Sequence, residues 1–250
     1  MNNLIFRIVI AFFLVTAGCK KKDDTPKNVI FCLTADSSAV RADGTTTIHI
    51  TCLLNGEATA DRRNILFKLN GGMFAANPVV SDTTLLQAAG FINNALVATA
   101  AVIVPQTPGS LIVSAQPALP GLPNTTYIIK DTITLYPSVP AFLKLAAGNS
   151  GINSNAGSEV TFTGTLFNAD TGKVSLNYQV KFEDLLDNQG SAGGMFRATD
   201  SLSNASSQVS TIYAAGAYPV GTRIHIRCTL LDSLGNKTPK TDSAYIYINK

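Results

Sequence analysis

Residues 65–74 read ILFKLNGGMF, an alternating apolar and polar run followed by two glycines, a methionine and a phenylalanine. The same order returns later, where residues 178–182 read YQVKF and residues 193–196 read GGMF. Apolar residues at every second position predict β-strands with one face in a core, because successive side chains of a strand point to opposite faces. The paired glycines predict a turn after each strand. The chain therefore contains two copies of one β module.

The repeat extends over the rest of both halves at a nearly constant spacing. The corresponding segments are 45–53 with 158–167, 108–113 with 220–225, and 130–135 with 241–246. Many short strands separated by turns predict an all-β fold of two tandem Greek-key β-sandwiches. Residues 137–140 read PSVP, an extended joint. We therefore predict one sandwich over 29–137 and a second over 138–250.

The first module resembles the bacterial immunoglobulin-like repeats of invasin- and intimin-type adhesins. The shared features are residues 38–44 (SAVRADG) ahead of a strand, the apolar residues Ile65 and Phe67, the Gly-Gly-x-Phe turn, and a Pro-Gly before the strand at 111–115. The second module matches less closely, because its first turn lacks the Asp of Ala-Asp-Gly. The resemblance implies immunoglobulin-like sandwiches that serve in adhesion or as a stalk.

The N-terminus has the three regions of an export signal. Arg7 is positively charged, residues 8–15 (IVIAFFLV) are apolar, and residues 16–18 (TAG) are small. A membrane-spanning helix needs about 20 apolar residues, and charged residues end this run before that length. Residues 1–18 are therefore predicted to be a cleaved signal peptide.

Residues 17–19 (AGC) resemble a bacterial lipobox, with Thr16 where the family usually has leucine. The resemblance implies that Cys19 is acylated, as with palmitate, and becomes the mature N-terminus. Residues 20–24 (KKKDD) resemble the charged export signal of Bacteroidetes surface lipoproteins, so 19–28 is predicted to be a charged tether. This implies a lipid-anchored outer-membrane protein on the cell surface or, alternatively, facing the periplasm. Ordinary cleavage with an unmodified Cys19 is the other alternative.

Three further cysteines follow Cys19. Cys32 and Cys52 flank a predicted hairpin with its turn near residues 41–44, which makes them a candidate disulfide in an oxidising envelope. The alternative is that Cys52 is a buried thiol, because it continues the inward phase of the preceding apolar residues. Cys228 continues the apolar phase of its strand and is predicted to be a core thiol.

Charge and motifs exclude several classes of function. The net charge of +3 includes Arg7 and the lysines of the tether, so the folded part is close to neutral and has no basic stretch for nucleic acid. The sequence contains no His-Glu-x-x-His, no Gly-x-Ser-x-Gly and no phosphate-binding glycine loop. His49 and His225 occupy polar strand positions in different modules, which argues against a shared metal site. We predict a non-enzymatic protein with no catalytic residue, no cofactor and no metal site.

Three acidic residues cluster in the predicted long loop of the second module, at Glu183, Asp184 and Asp187. Calcium sites need several converging oxygen ligands, but this spacing matches no calcium loop that we recognise. A solvated acidic loop is the preferred interpretation.

Five triplets read Asp, then Ser or Thr, then an apolar residue or Thr, which exceeds the number expected from composition. They resemble the O-glycosylation acceptor of Bacteroidetes envelope proteins. The resemblance implies candidate modification sites at Thr83, Thr132, Ser201, Ser233 and Ser243. The alternative is that each Asp bonds to the backbone in a turn or at a strand edge.

Two functions fit these observations. The first is a surface lipoprotein that acts in adhesion, in interaction with an unknown protein or glycan, or as a stalk. The alternative is a glycan-binding lipoprotein of an outer-membrane polysaccharide uptake system. Glycan platforms present exposed aromatic rings, and the chain has no tryptophan. The candidate rings are Tyr178, Tyr213, Tyr218, Tyr245 and Tyr247, of which the last two share one face of a predicted strand.

Overall fold

The structure, a computed structural model, describes residues 29–56, 58, 60–76, 83–118, 128–154 and 158–250. The predicted signal peptide, Cys19 and the tether lie outside these residues. The described ranges form β-strands and one 3-10 turn, and none of their helices is long and apolar enough to cross a membrane. The chain forms two compact units, the first including Thr45–Tyr136 and the second including Pro137–Lys250.

The first unit is a sandwich of two sheets. Its strands are β1 Ile30–Ala35, β2 Ala39–Ala42, β3 Thr47–Leu54, β4 Asn64–Leu69, β5 Met73–Phe74, β6 Thr84–Ala88, β7 Gly90–Ile92, β8 Ala95–Ile103, β9 Gly109–Pro117 and β10 Ile129–Pro137. One sheet has the order β1-β3-β8-β5, with β7 also paired to β8, and the other has the order β2-β10-β9-β4-β6. Alternate residues of β3, among them Ile48 and Ile50, are buried between the sheets.

The segment between β1 and β3 differs from the predicted hairpin. The two strands pair antiparallel as expected, but β2 lies between them in the chain and joins the opposite sheet. Val40 and Ala42 of β2 are both buried. The backbone of β2 pairs with β10, so the chain crosses from the sheet of β1 to the opposite sheet and returns for β3.

The second unit repeats this architecture. Its strands are β11 Phe142–Ala147, β12 Gly151–Asn153, β13 Glu159–Phe167, β14 Val180–Leu185, β15 Met195–Asp200, β16 Gln208–Ala214, β17 Arg223–Leu231 and β18 Lys237–Asn249. The sheet orders are β11-β13-β16-β15 and β12-β18-β17-β14. These orders match β1-β3-β8-β5 and β2-β10-β9-β4 strand for strand. The predicted all-β fold is confirmed, and the two units fit the predicted pair of modules.

The shared Gly-Gly-Met-Phe tetrapeptide delivers a phenylalanine to each core. Phe74 packs edge-on against Phe67, with ring centroids 6.4 Å apart. Phe196 lies 5.1 Å from the ring of Tyr213 and 6.2 Å from that of Phe182. The tetrapeptide therefore begins the edge strands β5 and β15 in equivalent places, and burial of its aromatic ring explains why both halves of the chain contain it.

Candidate functional site

Two tyrosines stand side by side on the outer face of the sheet β12-β18-β17-β14. Tyr245 and Tyr247 are 48% and 46% exposed, whereas Ile246 and Ile248 between and beside them are buried in the core. The predicted alternation of β18 is therefore confirmed, and the tyrosines are its outward set. Since cross-strand neighbours share a face, the residues paired with them on β17 also point outward.

Those neighbours are charged. Arg223 pairs with Tyr247, and His225 pairs with Tyr245. Asp187, in the turn between β14 and β15, reaches over both. We call these five residues the β17–β18 face.

Three nitrogen atoms converge on one carboxylate oxygen of this face. Nε and Nη2 of Arg223 lie 3.1 and 2.9 Å from Oδ1 of Asp187, and Nε2 of His225 lies 2.6 Å from it. An ionised carboxylate only accepts hydrogen bonds, so all three nitrogens donate. The bond from His225, followed by that from Arg223, lowers the pKa of Asp187 below its ordinary value of 3.8. Asp187 is therefore ionised at neutral pH.

Arg223 also connects this carboxylate to both tyrosines. Its guanidinium carbon lies 5.3 Å from the ring centroid of Tyr245, in a cation–π contact. A side-chain hydrogen bond links it to Tyr247 and, after the larger effect of Asp187, raises the pKa of Arg223. The ring of His225 meets that of Tyr245 edge-on at 4.4 Å. The five side chains thus form one connected network on an exposed surface.

The rest of the outer face carries further charges. Nζ of Lys237 binds both carboxylate oxygens of Glu183 at 2.6 and 2.7 Å, which lowers the pKa of Glu183, and Lys181 lies 3.5 Å from the same carboxylate. Arg227 donates to the side chain of Gln189 at 3.0 Å. Cationic side chains therefore outnumber carboxylates here. Exposed ion pairs contribute only about 0–1 kcal/mol to stability, so this arrangement mainly sets the charge that the surface presents.

The prediction of a solvated acidic loop was wrong for Glu183 and Asp184, which lie in β14. Asp184 is buried and accepts hydrogen bonds from the Tyr213 hydroxyl at 2.9 Å and the Gly194 backbone N–H at 2.6 Å, as well as from Ser191 Oγ at 3.1 Å. Burial raises the pKa of Tyr213, and Asp184 raises it further, so the hydroxyl keeps its proton and donates. In the described part of the chain, no three His, Cys, Asp or Glu side chains form a group suited to a metal ion.

The predicted Cys32–Cys52 disulfide is wrong. Cys52 is a completely buried free thiol, and burial raises its pKa to about 12. Cys32 stands opposite Leu53, while Cys52 stands opposite Leu33. This offset of one residue places the two cysteines on opposite faces of the sheet, because side chains alternate along a strand. Cys32 is disulfide-bonded, and Cys52 is not its partner.

Other sequence predictions are resolved by burial. Cys228 is a buried free thiol, as predicted. Tyr213 is fully buried, and Tyr178 and Tyr218 pack partly against the core. Of the five candidate rings, only Tyr245 and Tyr247 therefore share an exposed face.

The Asp residues of three acceptor triplets have structural partners. Oδ2 of Asp131 accepts the backbone N–H of Ala35 at 3.0 Å, and Oδ2 of Asp242 accepts that of Leu145 at 2.8 Å. These are equivalent bonds to the first strands of the two units. Asp232 accepts the N–H groups of two turn residues at 2.9 and 2.8 Å. Strand-edge and turn bonding therefore accounts for the Asp at these three positions.

The hydroxyl residues of the triplets differ in exposure. Thr83, Thr132 and Ser233 are exposed, and Ser201 and Ser243 are half-buried. Their O-glycosylation stays a prediction. Cys19 lies outside the described residues.

Sequence reasoning missed Asp187, Arg223 and His225 as one group. Asp187 was assigned to an acidic loop, and His225 was interpreted as an isolated outward residue. A usable signal was present in the sequences of β17 and β18. Side chains alternate between the two faces of each strand, so if the strands pair, Arg223, His225 and the two tyrosines are predicted to share a face. The contact of Asp187 depends on how the turn after β14 folds back, which no local pattern encodes.

Comparison with known proteins identifies the fold class. No protein-family model and no curated protein sequence matches the chain. Among solved structures, a bacterial invasin described as an integrin-binding protein is 16% identical, with a TM-score of 0.54 over 87% of this chain and 39% of the invasin. The similarity in structure shows that the chain has the immunoglobulin-like β-sandwich fold, as predicted.

Two further solved structures have lower TM-scores. The adhesin InvE of Yersinia pseudotuberculosis is 14% identical, with a TM-score of 0.46 over 91% of this chain and 62% of InvE. A glycosyl hydrolase family 2 member from Bacteroides cellulosilyticus is 14% identical, with a TM-score of 0.35 over 86% of this chain and 24% of the hydrolase. The chain thus spans less than two thirds of the length of each structure.

The network on the β17–β18 face predicts a measurable pH dependence. The Asp187 carboxylate is fully ionised and bonded above its ordinary pKa of 3.8, and its bonds are lost as the pH falls through its lowered pKa. His225→Phe and Arg223→Gln are each expected to move the pKa of Asp187 back toward 3.8, with the larger change for His225→Phe. Carboxyl NMR titration of the mature protein measures this.

Asp232 is the internal control for this titration. Its pKa is also lowered, but by the backbone N–H of Asn236 and other groups of its own turn. It should therefore titrate identically in all three proteins. An Asp187 pKa that stays unchanged in both variants would contradict the network.

Proposed function

We propose that this chain is a non-enzymatic lipoprotein of the bacterial cell envelope, exposed on the cell surface, in which two immunoglobulin-like units act in adhesion or interaction, or as a stalk. The observation that carries the proposal is the tandem sandwich fold that it shares with invasin, which is described as an integrin-binding protein. The predicted signal peptide and lipobox support export and attachment through Cys19. Anchored in this way, the two units would bind a protein or glycan ligand on the outside of the cell.

The exposed β17–β18 face supports a binding role over a purely spacing one. Tyrosine and arginine are enriched at binding surfaces because they offer large, amphipathic contact areas. Here both types lie on one sheet face, already oriented by hydrogen bonds and ring contacts. Pre-orientation lowers the entropic cost of binding.

The lipid anchor is testable by the mass of the mature protein. Acylation as a thioether modifies the Sγ of Cys19, whereas Cys52 and Cys228 are buried free thiols. We expect protein from host membranes to lack residues 1–18, to carry acyl chains on Cys19, and to show free thiols at Cys52 and Cys228 after denaturation without reduction.

Intact mass spectrometry with iodoacetamide alkylation makes this measurement. The matched control is Cys19→Ser, which should remain unacylated and retain its signal peptide. A wild-type chain without acyl mass on Cys19 would contradict the anchor. Protease shaving of intact cells separates the surface from the periplasmic face, because only a surface protein is digested.

The second candidate function is glycan binding within an outer-membrane polysaccharide uptake system. The specific observation in its favour is the pair of neighbouring exposed rings, Tyr245 and Tyr247. Aromatic rings offer a flat apolar surface with a polar edge, which suits the C–H face and hydroxyl groups of a sugar. This candidate differs from protein adhesion in the ligand, while the fold and the anchor are common to both.

A further inference from the structure

We propose that the β17–β18 face binds a carboxylated sugar residue of a glycan, and that Asp187 occupies the position of the ligand carboxylate in the unliganded protein. The inference deepens the glycan-binding candidate and rests on the second unit being a binding module. The convergence of Arg223 and His225 on one carboxylate oxygen, beside two exposed tyrosine rings, carries it.

Arg223 and His225 already form an anion site. A guanidinium presents two parallel N–H donors that match the two oxygens of a carboxylate. Here both donors of Arg223, Nε and Nη2, reach the same oxygen of Asp187. An external carboxylate can take these donors with one oxygen each, which is the better geometry. Asp187 is therefore a replaceable occupant of the site.

The position of Asp187 also allows its side chain to move away from Arg223 and His225. It lies in a tight turn closed by backbone bonds between Leu186 and Gly190 and from Gln189 to Leu186, at 2.8 and 2.9 Å. Its side chain is 60% exposed. Exposed ion pairs are weak because water solvates both partners. Rotation of the side chain into solvent therefore frees Arg223 and His225 while the turn stays folded.

The neighbouring rings favour a sugar over a simple acid. Tyr245 and Tyr247 lie two residues apart on one strand, which corresponds to about 7 Å along the sheet. The residue opposite Tyr247 on β12 is Gly151, which has no side chain to cover the ring. A sugar can thus stack on a tyrosine while its carboxylate binds Arg223. The cationic residues Lys181, Arg227 and Lys237 around the site attract an acidic polymer.

A matched pair of probes tests the inference on the mature protein. D-Glucuronate and D-glucose differ by the carboxylate, and NMR titration follows signals of His225 and both tyrosines. We expect glucuronate to shift these signals with at least about tenfold higher affinity than glucose, as loss of charge-assisted bonds predicts. Arg223→Gln should weaken glucuronate binding about tenfold, and Asp187→Ala should strengthen it several-fold. Lys130→Gln, which removes one charge from the first unit, should change neither.

Each of the following outcomes rejects one part of the inference or the whole of it. Equal binding of glucose and glucuronate rejects the carboxylate site but leaves glycan binding in place. If acetate binds as tightly as glucuronate, and Tyr245→Ala does not change the affinity for glucuronate, the proposal that the ligand is a sugar is rejected. Glucuronate binding that is unaffected by Arg223→Gln and Asp187→Ala locates the site elsewhere. If glucuronate shifts no signal even in Asp187→Ala, the inference fails, and host-cell adhesion assays with the same protein decide the proposed adhesion role separately.

Discussion

Asp184→Leu is expected to destabilise the second unit by about 3 kcal/mol. The carboxylate accepts bonds from the Tyr213 hydroxyl and the Gly194 backbone N–H in a buried setting. Removing it loses these bonds and that from Ser191, and leaves the buried Tyr213 hydroxyl and the half-buried Gly194 N–H unsatisfied, at about 1–3 kcal/mol for each buried group. Leucine fills similar volume and offsets part of that loss. The effect should therefore be large and confined to the unit that contains β14.

The first unit supplies a natural comparison for this position. Leu69 is the counterpart of Asp184, two residues after the core phenylalanine of β4. Val102 is the counterpart of Tyr213, because each pairs with the phenylalanine of its Gly-Gly-Met-Phe segment. One unit therefore uses an apolar pair where the other uses a hydrogen-bonded pair. At this position the second unit therefore has a buried hydrogen bond where the first unit has apolar side chains.

A double-mutant cycle checks the mechanism. Tyr213→Phe should cost about 1.5 kcal/mol, the contribution of one bond to a charged group. Asp184→Leu combined with Tyr213→Phe should be more stable than Asp184→Leu alone, because the orphaned hydroxyl is gone. Guanidinium titration of the mature protein, read by hydrogen exchange of peptides from each unit, measures these values. Equal losses in both units, or additive effects in the double variant, would refute the network.

Gly72→Ala is expected to destabilise the first unit by about 3 kcal/mol or more. Gly72 has a φ of +71°, where an L side chain is strained by about 1 kcal/mol. An added Cβ would also lie 2.5 Å from the backbone oxygen of Ile103, with Pro105 close by. A backbone oxygen of a paired strand cannot move away without breaking the sheet. The strain therefore adds to the steric conflict.

Gly90→Ala is the matched control for this substitution. An added Cβ at Gly90 meets nothing within 4 Å, so its effect should stay within about 0.5 kcal/mol. Thermal unfolding read by hydrogen exchange of β8 peptides distinguishes the two variants. If Gly72→Ala unfolds like Gly90→Ala, the close approach of the turn to β8 is not present in solution.

The Gly-Gly-Met-Phe repeat shows how far sequence reasoning reached. It predicted two equivalent turns, and both exist at the start of β5 and β15. The left-handed glycine differs, however, being Gly72 in the first unit and Gly193 in the second. In the second unit, a Cβ at Gly194 would overlap the Tyr213 hydroxyl instead of a backbone oxygen. The same tetrapeptide therefore packs against different neighbours in the two units, and no local sequence pattern distinguishes the two cases.

The cysteine and acidic-loop predictions failed for a related reason. A bulge in β1 between Ile30 and Cys32 shifts the pairing with β3, so a phase counted along the chain no longer predicted which residues face each other. Asp184 is a charged residue at an inward position of β14, which departs from the alternation of apolar and polar residues that predicts strands. Its hydrogen-bonded partner lies in another strand, 29 positions away.

The sequence by itself determined what depends on short-range periodicity: the strands, the duplicated module, the inward and outward phases of β18, and a core that contains Cys228. Burial of every second residue in a strand depends on residues close together in the sequence, so it can be predicted from the sequence. Only the tertiary structure decided which outward residues meet. Asp187, Arg223 and His225 form one site because strand register and the turn after β14 bring nitrogens of Arg223 and His225 within hydrogen-bonding distance, 2.9 and 2.6 Å, of one Asp187 oxygen. Those distances follow from pairing between distant segments, which local sequence does not specify.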